Sequence, residues 1–185
     1  MGTNQHYKEG FSKNNGVKIF YRYYGPEDGD PILMVHGLGA QLVHWPQHLI
    51  NFLQENNFRP ITYDNRDVGL SSRFTNTPSF VLDYIKYFFR LPIKSEYKID
   101  DMADDGIKLL ETLKIKKAHI LSTSMGGMIA QIISAMYPEK VKTFTLIAST
   151  ASTPSPINAP SKAVREIMLE RSKNPNASYD EIIKR

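Results

Sequence analysis

A chain of 185 residues, 41% hydrophobic and 23% charged, is long enough to bury one sizeable core and reads as an ordinary globular protein. It contains no cysteine, which excludes disulfides and thiolate metal sites and makes a reducing cytoplasm the expected compartment; no metal and no cofactor are expected either. The opening MGTNQHYKEG has no apolar leader core, and no apolar run approaches the ~18 residues of a membrane span, so no span is expected. The net charge of +4 is scattered along the chain. Its densest knot, KIKKAH, sits where a helix should end, and nucleic-acid binding is not expected.

In chain order, GVKIFYRYYG alternates like a half-exposed antiparallel edge strand, and PILMVHG is a short continuous apolar run suited to a buried parallel strand. PEDGD between them is a turn. A helix is predicted from about Pro46 to Asn56, and FRPITYD makes another buried strand that ends in the loop NRDVGLSSRF. Thr77 to Tyr97 is an aromatic-rich insertion, read as an amphipathic helix over the sheet, with an access lid or a membrane-facing patch as the alternatives. Asp100 is expected to cap a helix with an acidic first turn. KAHILSTS is a strand, MGGMIAQIISAMYP a helix stopped at Pro138, and VKTFTLIAST the next strand. From Ala151 the chain is rich in proline and serine, then helical. Strands alternating with helices predict an α/β architecture with a mostly parallel sheet. Its ligands bind at the carboxyl ends of the strands, where the Gly- and Ser-rich turns of this chain fall.

The junction STSMGG carries the chemistry. A serine on a tight strand-to-helix turn projects its hydroxyl above the sheet, and the residue after it presents a backbone N–H to developing negative charge. This makes Ser124 the candidate nucleophile and Met125 a candidate donor. The turn needs small neighbours, supplied by Ser122 and Gly126, with Gly127 and Ala130 continuing the close face. A dinucleotide fingerprint is the rival reading, since Gly37 and Gly39 follow a strand and Asp64 ends a later one. Its third glycine position holds Leu42, which argues against it.

STSMGGMIAQ resembles the nucleophile elbow of the α/β-hydrolases, usually Gly-x-Ser-x-Gly, with Ser122 replacing the first glycine. HGLGA, from His36, resembles the family's oxyanion turn, and YDNRDVGLSS resembles its Asp-x-Arg-x-x-Gly-x-Ser loop at Asp64, Arg66, Gly69 and Ser71. The resemblance implies an oxyanion hole made by the backbone N–H groups of Leu38 and Met125. It implies structural support from His36, Gly37, Ser122, Gly126, Asp64 and Arg66, the last through an Arg–carboxylate pair. It spans about residues 7–150, and within the family it is most similar to the cap-bearing methylesterases and proline iminopeptidases. By that resemblance residues 1–150 are the N-terminal part of the hydrolase core and residues 151–185 the start of a helical cap. The last two strands and most of the cap would then be missing. The implied substrate is a small ester, amide or peptide.

In that family the acid and the histidine base follow the nucleophile in the chain. Here all five histidines, His6, His36, His44, His48 and His119, precede Ser124, and ASTASTPSPINAP holds no carboxylate. Loss of such a base costs about 10⁶ in rate, so the chain alone is expected to be inactive. The expected reading is an incomplete copy of a longer serine hydrolase. The alternatives are one half of a split enzyme, completed by a C-terminal fragment or by a homo-oligomer, and a non-catalytic binding module.

Overall fold

The computed structural model describes residues 7–74, 95–151 and 161–162. Contacts group the chain into two compact units, Met1–Ser149 and Thr150–Arg185. The first unit holds a six-stranded sheet in the order β1-β2-β4-β3-β5-β6. Its strands are β1 (Tyr7–Asn14), β2 (Val17–Tyr24), β3 (Asp30–Val35), β4 (Phe58–Tyr63), β5 (Ala118–Thr123) and β6 (Val141–Ile147). The β1–β2 and β2–β4 pairings are antiparallel, and β4, β3, β5 and β6 are mutually parallel. Among the described residues the α-helices are α1 (Gln47–Glu55), α2 (Ile99–Thr112) and α3 (Met125–Met136). No described helix is long and apolar enough to cross a membrane.

The parallel strands are apolar on both faces because helices cover both. Along β3, Leu33 and Val35 join the cluster built with Ala103, Ile107 and Leu110 of α2 and Ile129 and Ile133 of α3. The alternate residues, Ile32 and Met34, point the other way to Trp45 and to Ile50 and Leu53 of α1. Each fully buried side chain of this kind contributes about 1.5–3 kcal/mol. The period of two thus fixes which face meets which helix.

Two sequence expectations are corrected. β1, with the polar sequence YKEGFSKN, forms a hairpin with β2 through Asn15 and Gly16, both at positive φ, so β2 is an interior strand and β1 the edge. Its apolar pattern is weak because its buried positions include Ser12 and Asn14, which bond to Thr112 and Asp105 of α2. The α2 cap is Lys98, whose N–H donates to the Asp101 carboxylate at 2.7 Å, and Asp100 lies inside the first turn. The aromatic insertion, apart from residues 95–97, and most of the tail fall outside the described residues.

Candidate active site

Ser124 joins the carboxyl end of β5 to the first turn of α3 with φ 52° and ψ −125°. A non-glycine residue held at positive φ costs on the order of 1–3 kcal/mol, and such strain concentrates at functional sites. Two backbone bonds hold it there. The Ser124 N–H donates to Ile147 O of β6 at 3.0 Å, and its carbonyl accepts from Gly127 N–H at 2.8 Å. The side chain is exposed. Among the described residues no hydrogen bond reaches its Oγ, and His36, His44, His48 and His119 are no exception.

The elbow is tight because α3 starts against β3. A Cβ on Gly126 would lie 2.7 Å from His36 O and closer still to Val35 O, so glycine alone fits. Ser122, at the irregular position of the elbow, is fully buried, and its Oγ donates to Thr145 O of β6 at 2.9 Å. That acceptor answers the burial of a hydroxyl that a glycine would lack.

The turn after β3 abuts the serine. A Cβ on Gly37 would meet Ser124 Cβ at 3.0 Å and Oγ at 3.4 Å. The next residue, Leu38, is exposed. Among the described residues neither the Leu38 N–H nor the Met125 N–H has a hydrogen-bond acceptor. Met125 opens α3, where unpaired N–H groups and the helix dipole favour negative charge.

His36 lies behind this turn. Its ring stacks on Trp45 at 4.2 Å between centroids, and its Nδ1 lies 3.5 Å from Thr123 Oγ1. Burial, with a smaller contribution from His44, lowers its pKa to about 4, so the imidazole is neutral at pH 7. The Nε2 of His36 and Nε1 of Trp45 are buried without a partner among the described residues.

The loop after β4 braces the site. The Asp64 carboxylate accepts from Leu42 N–H at 2.8 Å and from Leu70 N–H at 3.0 Å. Gly69, at φ 53°, passes so close that a Cβ would overlap this carboxylate. Ser71 Oγ donates to Asp64 O at 2.6 Å. The carboxylate paired with Arg66 is Asp105 of α2, through Nε at 2.5 Å and a second nitrogen at 3.0 Å, and Asn14 of β1 also donates to it. Arg66 further lies 5.5 Å from the ring of Tyr97 and 5.9 Å from that of Phe74. Burial pulls its pKa down, but the Asp105 bonds and charge outweigh it and leave it raised. Tyr97 is pushed up to about 12, by burial first and then by its hydrogen bond to Asp67.

The structure therefore brings Gly37, Ser122, Ser124, Met125 and Gly126 together, with Leu38 one residue beyond. Asp64 and Arg66 brace from the neighbouring loop. Sequence reasoning missed Asn65, which is buried and whose Nδ2 donates to His36 O at 3.2 Å. Nothing in a single sequence marks it out. Asp105 was hidden among the acidic residues of DDMADD, and only the topology selects it. Among the described residues no three His, Asp or Glu side chains converge as ligands for a metal ion.

Comparison with known proteins agrees with this geometry. The sequence profile of the alpha/beta hydrolase fold matches residues 30–183. Rhodomycin D methylesterase DnrP of Streptomyces peucetius is 25% identical over 138 residues, which are 75% of this chain and 41% of that protein. The 3-oxoadipate enol-lactonase 2 of Acinetobacter baylyi is 28% identical over 147 residues, 80% of this chain and 46% of its own length. Among solved structures, the 2-hydroxy-6-oxo-6-phenylhexa-2,4-dienoate hydrolase of a Rhodococcus strain superposes with a TM-score of 0.69 at 18% identity, over 94% of this chain and 56% of that one. A hydrolase from Pseudomonas aeruginosa gives 0.64 at 20% identity, over 92% and 54%. The chain spans less than half the length of these two curated relatives. With its sheet order, its strained serine at a strand-to-helix turn and a profile match over most of its length, the chain belongs to the α/β-hydrolase fold family.

Proposed function

We propose that the whole protein is a serine hydrolase that cleaves a small ester, lactone or amide through an acyl-enzyme on Ser124. The observation that carries this reading is the strained Ser124 elbow set against the Gly37 turn, with two unpaired N–H groups beside the exposed hydroxyl. Ser124 Oγ bonds to the substrate carbonyl carbon as the carbonyl π pair moves onto oxygen. The Leu38 and Met125 N–H groups hold that oxyanion, and each such donor is worth about 2.7–4 kcal/mol in the transition state. The pair then returns, the bond to the leaving alcohol or amine breaks, and water releases the acid. The proton leaving Oγ needs a base, and the reading assigns none of the five histidines to that task, since all precede Ser124. Base and orienting acid would come from a segment outside these 185 residues, and residues 151–185 are read as the start of a helical cap. The methylesterase and lactonase named above favour an ester or lactone as the substrate class. No cofactor is required by this chemistry.

A fluorophosphonate probe, applied with imidazole supplied as the base, tests the nucleophile. Ser124 is expected to be the labelled residue by peptide mass, and labelling undiminished in Ser124→Ala would overturn the assignment.

A further inference from the structure

We infer that Asn65 is a positioning residue for the oxyanion turn, a role that rests on the serine-hydrolase reading above. Its Nδ2 donates to His36 O at 3.2 Å, from a side chain only 2% exposed. The peptide carrying that carbonyl is separated from the peptide carrying the Leu38 N–H by Gly37 alone. Glycine suits position 37, because a Cβ there would press on Ser124 Cβ at 3.0 Å. Glycine supplies no stiffness of its own, so the direction of the Leu38 N–H depends on what holds the peptides on either side.

The peptide beyond Gly37 is held within the turn by a long bond, Ala40 N–H to Gly37 O at 3.3 Å. Gly39, at φ 68° with open space around it, adds no restraint. The peptide before Gly37 is tied to the rest of the fold by Asn65. His36 O is thereby fixed between the Asn65 amide on one side and Gly126 of the elbow helix on the other.

Asn65 itself is rigid. Its carbonyl accepts from Val68 N–H at 3.1 Å. The preceding Asp64 is bonded through its N–H to Phe20 O at 2.9 Å and through both carboxylate oxygens, and the following Arg66 is locked on Asp105. A side chain mounted on so fixed a backbone transfers the position of β4 to the turn after β3. Preorganised donors stabilise a developing oxyanion because they need no reorientation as charge appears, and Asn65 supplies that preorganisation one residue upstream of the donor.

The test uses the 185-residue chain and two variants, Asn65→Ala and Asn65→Asp, which both remove the donor but differ in size and charge. In ¹⁵N relaxation the Leu38 amide is expected to fall from an order parameter of about 0.85 to below about 0.6 in both variants, while Val35 and Thr62 keep their values. Fluorophosphonate labelling of Ser124 is expected to slow about tenfold in its maximal rate with the half-saturating concentration unchanged, against 10²–10³ for outright loss of an oxyanion donor. In the wild-type chain one Asn65 side-chain amide proton is expected to exchange more slowly than a free amide. That measurement decides even where a variant does not fold. A Leu38 amide as rigid in the variants as in the wild type, two freely exchanging Asn65 protons, or an unchanged maximal labelling rate overturns the positioning role. Labelling that fails in the wild type even with imidazole supplied as the base, or that persists in Ser124→Ala, overturns the nucleophile reading instead, and the relaxation and exchange data still decide Asn65.

Discussion

Gly126→Ala tests the elbow directly. The added Cβ would sit 2.7 Å from His36 O and nearer to Val35 O, where an ordinary carbon–oxygen contact is about 3.3 Å. Both oxygens belong to the backbone at the end of β3, which is paired on either side by β4 and β5, so they cannot swing away as a side chain could. Relieving the nearer contact, with Val35 O, requires the helix to retreat by about 1 Å. Overpacking of this kind costs about 1–3 kcal/mol, and with backbone on both sides the upper end applies. At a urea slope of about 2 kcal/mol per molar, the midpoint should fall by about 1.5 M. Function should suffer more than stability, since a misplacement of about 1 Å between nucleophile and oxyanion donors costs about 10²-fold. The assay pairs urea unfolding, followed by the fluorescence of the single tryptophan Trp45, with fluorophosphonate labelling of Ser124. Gly106→Ala in α2 serves as the comparison, because its Cβ would meet only side-chain ends, Ile133 at 3.2 Å and Leu33 and Tyr63 at 3.5 Å, which can move. It should cost at most about 1 kcal/mol. A Gly126→Ala variant no less stable than Gly106→Ala and labelled at the wild-type rate would refute the close-approach argument.

Other outcomes follow from the same geometry. Asp105→Ala strands the buried Arg66 guanidinium and the Asn14 amide, and should destabilise by about 3–5 kcal/mol in urea unfolding. A loss below about 1 kcal/mol would mean the pair is solvated. His36, neutral because burial lowers its pKa to about 4, adds nothing to the pH dependence above the unfolded value of 6.5. As pH falls through the window from 6.5 to about 4 the unfolded state takes the proton first, so stability should decline by about 1–3 kcal/mol, the range discounted for a half-buried ring. His36→Gln should flatten that decline, and an equally steep profile in the variant would remove His36 as its source. Imidazole added to the chain should speed fluorophosphonate labelling of Ser124 by about tenfold or more, by taking the proton that the proposed mechanism hands to a base. A rate independent of imidazole would show that the hydroxyl needs no base, or cannot be reached by one.

The parallel strands were legible because each is a short apolar run closed by a turn, and the Ser124 elbow because it sits at such a closure. β1 was not, because the residues it buries are Ser12 and Asn14, polar groups satisfied by α2 across about a hundred residues of chain. The site divided in the same way. Ser124, Gly126 and Gly37 are demanded by local geometry and show in the spacing. Asn65 and Asp105 act through contacts 29 and 39 residues away in sequence. Their residue types are common in loops and helix starts, so no local pattern singles them out. The α2 cap was misplaced by two residues, since several acidic side chains at its start could serve and the one that bonds back is Asp101.

The Asp64 carboxylate has a mechanical consequence. One oxygen takes Leu42 N–H and the other Leu70 N–H, so two loops from different strands share a single anchor point. Neither can swing outward alone without giving up a charge-assisted bond worth about 1.5–3 kcal/mol. The two loops therefore move together or not at all, and a displacement of one is felt at the other through a single carboxylate.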